Sequence, residues 1–276
     1  MLEIAHFLRI GPLGTSRPAS DAGRFCSGGT AIQEVEILRS CFTVDEVEEL
    51  AEVMVRQFLG KQREPPLRVD MDGFLTGYLC LPLEYHSFAE DDLGKIGFIS
   101  DGATPLLILW ERRTVPMVFP KGTVVLEKSL QNENEEGRRR FTLAHEASHY
   151  IMDKTVASAS FRREQDKGGA YGPQEMRELL SVQEAKVDRL AAALLMPAYI
   201  VRNVIGQFAG TEAISLYGDN ILRLEDKLLV QKMACVMGVS YTAFLIRLKE
   251  LRLVERREVS EYITQEIGLG NGGMRQ

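Results

Sequence analysis

The chemistry of this 276-residue chain concentrates at His145-Glu146-Ala147-Ser148-His149, two histidines four apart with a glutamate directly after the first. On a helix, residues four apart lie one turn above each other on the same face, so both imidazoles can grip one ion. Glu146 sits about 100° round such a helix, close enough to reach a water beside the ion without ligating it. Two histidines holding zinc with a neighbouring Glu as general base is an arrangement for metal-assisted hydrolysis. Only four histidines occur in the chain, and two are placed here. The plainer alternative is a buried amphipathic helix whose histidines merely hydrogen-bond.

The surroundings support the metal reading. Leu143, Ala147, Tyr150 and Ile151 form a stripe offset from the histidines, which buries one side and leaves the metal face on a cleft. Thr142 is a candidate N-cap, although the apolar run can equally begin the helix earlier. A catalytic zinc takes three protein ligands and keeps one open position. The metzincin subclass would draw its third ligand from six residues beyond His149, with a glycine midway; Thr155 and Met152 occupy those positions and exclude it. Downstream, residues 181–196 read as an Ala- and Leu-rich helix stopped by Pro197, with Val187, Leu190, Ala191, Leu194 and Leu195 as its apolar side. Ala185, Ala191 and Ala192 would let it approach the first helix closely. Glu184 and Asp188 within it are again four apart. In the gluzincin pattern the Glu ligates and the Asp hydrogen-bonds the far nitrogen of a ligating histidine, fixing its tautomer. Otherwise Glu184 is a solvated helix charge, as Glu175 and Glu178 are expected to be. Asp153 is a weaker candidate for a supporting role.

Arg140-Phe141-Thr142-Leu143-Ala144-His145-Glu146, then His149, then Glu184 and Asp188, then Leu194-Leu195-Met196-Pro197, resembles the ImmA/IrrE-type metallopeptidase family. The resemblance spans about Arg140 to Pro197. It implies a zinc-dependent endopeptidase of bacteria or their mobile elements that cuts helix-turn-helix repressors and so relieves repression. It implies His145, His149 and Glu184 as Zn2+ ligands, Glu146 as the catalytic base, and Asp188 as the support behind a ligating histidine. Asn is common in the family where Asp188 stands. The implied fold is α+β and zincin-like: a small mixed sheet, the His-Glu helix, a ligand helix and a helical C-terminal subdomain.

The remaining elements must position those side chains. Thr43-Val44-Asp45-Glu46 is a capping box opening a helix whose apolar face is Val47, Leu50, Ala51, Met54, Val55 and Phe58, with Gly60 suited to its end. Between Leu67 and Lys128 the spacing predicts strands at 67–71, 74–80, 95–100, 106–110, 115–119 and 123–128, with Pro120-Lys121-Gly122 as a hairpin turn joining the last two. Residues 123–128 are placed either as the sheet edge that takes substrate as an added strand, or as an ordinary internal strand. The segment 154–172 reads as a surface insertion or a lid. Leu228–Met237, the Gly238-Val239-Ser240 turn and Tyr241–Leu251 resemble a helix-turn-helix, with Ser240 as N-cap and a basic patch of Arg247, Lys249, Arg252, Arg256 and Arg257. Residues 1–40 read as a flexible N-terminal extension, 41–205 as the metallopeptidase domain, and 206–276 as the helical C-terminal subdomain.

Length allows a full core, and the net charge of −6 argues against a general nucleic-acid binder. Cys26, Cys41, Cys80 and Cys235 contain no Cys-x-x-Cys pair and read as reduced thiols of a cytoplasmic protein. Glu3, His6 and Arg9 interrupt any signal-peptide core, and no run approaches the roughly 20 apolar residues of a membrane span. The expected partner is a protein substrate, with no membrane and no nucleic acid. An oxyanion-stabilising group is also needed; Tyr150, Tyr171 and Tyr199 are candidates and His86 an outside one. Two rival functions stand beside the peptidase: a regulator that binds a repressor without cutting it, and a DNA-binding regulator acting through the C-terminal helices.

Overall fold

A computed structural model describes residues 43–60, 64–89, 95–155, 173–218 and 220–263. The first described helix, α1 (Val44–Leu59), begins at the capping box: Thr43 Oγ1 accepts from the Glu46 backbone N–H, and the Glu46 carboxylate accepts from that of Thr43. Val47, Leu50, Ala51, Met54 and Val55 are buried, and Gly60 closes the helix at φ 64°. At that positive φ a Cβ would be strained, so glycine is the residue that fits.

The region between α1 and the metal helix differs from the strand-rich expectation: no strand forms at 67–70, and three further places depart from it. Residues 71–78 are helical, as α2 (Met71–Gly73) running into a π-type turn at Phe74–Tyr78. The Asp70 carboxylate accepts from the Gly73 N–H, and the buried residues Met71, Phe74 and Leu75 have the one-three-four spacing of a helix face. Strand β1 (Leu83–His86) follows where none was expected, then β2 (Gly97–Ile99), β3 (Leu106–Trp110), β4 (Arg113–Met117) and β5 (Val124–Glu127). The main sheet has the order β1-β5-β2, with β1 parallel and β2 antiparallel to β5. Strand β5 is therefore internal, and three of its four residues, Val124, Val125 and Leu126, are fully buried. The Pro120-Lys121-Gly122 turn forms, with Thr123 N–H donating to the Pro120 carbonyl, but it joins no hairpin. Strand β4 pairs with β3 instead, in a separate antiparallel ribbon.

Helix α3 (Glu136–Thr155) carries His145 and His149, and α4 (Pro173–Leu195) carries Glu184 and Asp188. Thr142 lies inside α3 and donates to the Arg138 carbonyl, so the helix begins earlier than Thr142. Leu143, Ala144, Ala147 and Ile151 share one core with Leu190, Ala191, Ala193 and Leu194. Burying each large aliphatic side chain there stabilises the helix pair by about 1.5–3 kcal/mol. Of the alanines expected at the helix contact, Ala191 is buried, whereas Ala185 is exposed and Ala192 half-buried.

Beyond α5 (Ala198–Ala209) the chain forms a β-α-α-β unit: β6 (Ile214–Tyr217), α6 (Leu224–Met237), α7 (Tyr241–Glu250) and β7 (Val254–Arg257), the two strands pairing in parallel, followed by the short α8 (Val259–Tyr262). Helices α6 and α7 meet at 99°, with Gly238 in the left-handed region and the Ser240 hydroxyl accepting from the Ala243 N–H, as a helix-turn-helix requires. Val230, Met233, Ala234, Phe244 and Leu248 belong to the same core cluster as α3 and α4, so packing is continuous across residue 205. Arg140 on α3 reinforces this by donating to the carbonyls of Met237 and Gly238. No single helix among the described residues is long and apolar enough to cross a membrane. Cys80 and Cys235 are exposed free thiols; Cys26, Cys41, Tyr171 and residues 1–40, 156–172 and 264–276 lie outside the described residues.

Candidate metal centre

Helical periodicity sets the first half of the site. One turn apart on α3, the His145 and His149 rings stand edge to face with centroids 4.7 Å apart, and their Nε2 atoms approach to 3.1 Å. Packing of α4 along α3 supplies the second half. The Glu184 carboxylate lies 3.6 Å from His145 Nε2 and 3.7 Å from His149 Nε2. Four residues on, the Asp188 carboxylate accepts from His145 Nδ1–H at 2.9 Å. With the proton on Nδ1, the Nε2 lone pair of His145 is directed at the other two donors. Burial lowers the His149 pKa, with the neighbouring His145 acting in the same sense and the carboxylates of Glu184, Asp153 and Asp188 opposing. A lowered value favours the neutral imidazole that can donate a lone pair to a cation.

These distances can be tested against a bound ion. Ligand atoms about 2.0–2.1 Å from a tetrahedral centre stand about 3.4 Å from one another. The three observed separations, 3.1, 3.6 and 3.7 Å, bracket that value. His145, His149 and Glu184 thus fit one divalent cation, and among the described residues theirs is the cluster with that geometry. Two imidazoles and one carboxylate leave a fourth position open.

Glu146 lies to one side, under the sheet. It is 6 % exposed, and the Ile99 N–H of β2 donates to its carboxylate. Burial, and secondarily the charge of Glu184, push its pKa up to about 8, with the Ile99 bond and Lys95 acting in the opposite sense. A divalent cation at the adjacent cluster would draw the value down again. The strand passes so closely that a Cβ at Gly97 would come within 2.5 Å of both Glu146 Oε1 and Thr142 Cγ2. Gly97 is a close-approach position beside the candidate site that the sequence reading missed. A lone glycine inside a strand pattern is the available signal, since it marks close backbone approach.

The match to known families agrees with this geometry. Residues 129–249 match the family model Peptidase_M78, described as the IrrE N-terminal-like domain. Over this segment, a little under half of its length, the chain is similar to that family. The Peptidase_M78 segment runs from just before α3 to the last turn of α7, so it takes in both metal-cluster helices and the helix-turn-helix pair. No curated protein and no solved structure matches the chain.

The other expected groups are placed as follows. Tyr199 sits on α5 under the Arg56 guanidinium, 3.8 Å from ring centroid to Cζ, in a contact with α1. His86 on β1 pairs with Glu84 and stacks near Phe119. Neither belongs to the cluster. Phe141, one turn before His145, does border it, with ring centroids 6.3 Å apart. In the basic patch, Arg247 is fully buried and its two terminal nitrogens bond both Glu48 oxygens at 2.6 Å. Burial and pairing remove it from any surface available to DNA. Arg257 is paired with Glu255.

Proposed function

We propose that this protein is a zinc-dependent endopeptidase. The observation that carries the reading is the convergence of His145, His149 and Glu184 from two helices, with a buried glutamate adjoining them. Similarity to a peptidase family supports the reaction class. Two nitrogens and one oxygen in an open tetrahedral set are the donors of catalytic zinc sites. When bound, the ion supplies Lewis acidity, lowering the pKa of a water to roughly 7 and polarising the scissile carbonyl. Glu146, held by the Ile99 N–H, accepts the proton from that water as the new C–O bond forms. It then returns the proton to the amine nitrogen as the C–N bond breaks. Asp188 keeps the His145 proton on Nδ1, so the Nε2 lone pair stays committed to the ion.

Substrate entry is assigned to β2, not to β5. Strand β5 is covered on both sides, whereas β2 has β5 on one side and, among the described residues, no strand on the other. A peptide added there would lie beside Glu146, bound through its backbone. The family resemblance extends the proposal to the substrate, a helix-turn-helix repressor whose cutting relieves repression. The decisive experiment incubates the metal-loaded protein with helix-turn-helix repressors from its own genome and sizes the fragments by mass spectrometry. Glu146→Gln should keep its metal and lose 10²–10⁴-fold or more of the cleavage rate, that being about the contribution of general base catalysis. His145→Ala should lose the metal. Intact repressor after incubation with the loaded wild type, or full cleavage by Glu146→Gln, would overturn the proposal.

A further inference from the structure

A groove of about 910 Å³ opens between the start of α3, the exposed face of α4 and the helix-turn-helix pair. It adjoins the candidate metal centre through two residues that touch His145. Asp188, which holds His145, is one of its walls, and Phe141, stacked near His145, is another. Its lining has an apolar part made of Ala192, Leu195, Val239 and Ala243 together with Phe141 and Ile246. Those two are 39 % and 53 % exposed, large apolar groups left in water by the fold. The volume is at the upper end of those that hold sizeable ligands.

The charges around it cancel. Glu136, Asp188 and Glu250 face Arg138, Arg189 and Arg247. Each is already engaged within the protein: Asp188 with His145, Glu250 with Arg189 and Arg247, Glu136 with Arg68, and Arg138 with Glu135. Little charge remains to recruit an ionic ligand, so recognition falls to the apolar part of the lining. The small residues along α4 that do not face α3, Ala185 and Ala192, now have a role, since they keep this wall low.

Length indicates which part of a substrate would reside there. From Asp188 to Met196 the wall rises about 12 Å at 1.5 Å per residue. It starts about 6 Å beyond Glu184 by the same measure. An extended peptide advances about 3.3 Å per residue. We infer that the groove is a specificity site for the polypeptide substrate, taking large apolar side chains (Leu, Ile, Met, Phe) about two to six residues from the scissile bond. The inference rests on the endopeptidase reading for the identity of the occupant, and it names what that reading leaves open.

The test separates the two. The full-length, zinc-loaded Glu146→Gln protein is panned against a phage-displayed library of random peptides about 12 residues long, twice the estimated span. Selected peptides are synthesised and titrated by fluorescence anisotropy. Expected are peptides enriched in large apolar residues, whose affinity falls about tenfold or more in the Ala243→Arg and Ile246→Asp backgrounds. Zinc content and melting temperature should be unchanged in both. Ile246 is exposed, so its replacement serves even if Ala243→Arg fails to fold. No enriched peptide, peptides without apolar bias, or affinities indifferent to both substitutions would each overturn the groove assignment. Failure of the catalytic reading looks different: wild-type protein that binds these peptides through the groove and cleaves neither them nor the unselected library.

Discussion

Glu146 and Arg247 are both charged residues removed from water, and their surroundings are opposite. Arg247 is fully buried among two carboxylates and a carbonyl: Glu48 takes both terminal nitrogens, Glu250 a third contact at 3.4 Å, and Met196 O accepts from Nε at 3.0 Å. Glu146 is buried under a strand with a backbone N–H from Ile99 and the like charge of Glu184 nearby. A buried ion with a full complement of partners ties elements together, and its pairing offsets its desolvation. A carboxylate buried beside another carboxylate is held in an unfavourable state, which is how sites keep a proton acceptor near neutral pH. In this molecule the first joins α1, α5's entry turn and α7; the second adjoins the cation cluster.

Removing either group should therefore move stability in opposite directions. Arg247→Ala empties a fully buried position and leaves the partly buried Glu48 without its partner, and should lower unfolding free energy by about 3 kcal/mol, read by chemical denaturation. A loss under about 1 kcal/mol would show that the pair is only a surface contact. The metal-free protein should reveal the cost of Glu146. Its folded pKa is raised to about 8 from the usual 4.5, so the folded state favours the protonated form. Stability from this group is fully present below pH 4.5 and is lost as pH rises toward 8, beyond which the curve is flat. At pH 7 the penalty is about 3 kcal/mol. Glu146→Gln in chelator-treated protein should flatten that slope, and an identical slope in both proteins would contradict the raised value. The smallest effect concerns Asp188. Asp188→Ala should weaken metal binding about 10–100-fold, measured by competition with a chromogenic chelator, because His145 loses the acceptor that orients it. Unchanged affinity would mean that the Nδ1 bond contributes nothing to the ligand.

Local physics made much of this legible. The capping box at Thr43 to Glu46 concerns neighbouring residues alone, and it forms as read. The same holds for the Gly238–Ser240 turn, with α6 ending at Met237 and α7 beginning at Tyr241, although α6 starts four residues before Leu228. Met71–Tyr78 carries local helix signals too, with Asp70 as cap and Met71, Phe74 and Leu75 at helical spacing, and these outweigh the β-rich composition around them. The fates of β5 and Arg247 were not local. Whether β5 is edge or centre depends on β1, some 40 residues earlier, pairing with it in parallel. Arg247 looks like one member of a basic cluster until Glu48, 199 positions away, is brought against it.

By itself the sequence determined the candidate donors, His145 and His149 on one helical face and Glu184 on another with Asp188 one turn on, because a period of 3.6 residues is a property of the backbone. Tertiary structure alone decided that those faces meet at ligand distance, that Gly97 passes over Glu146, and that a groove runs along α4 beside Asp188. Convergence, burial and concavity arise from packing between segments far apart in the chain, and no local pattern specifies them.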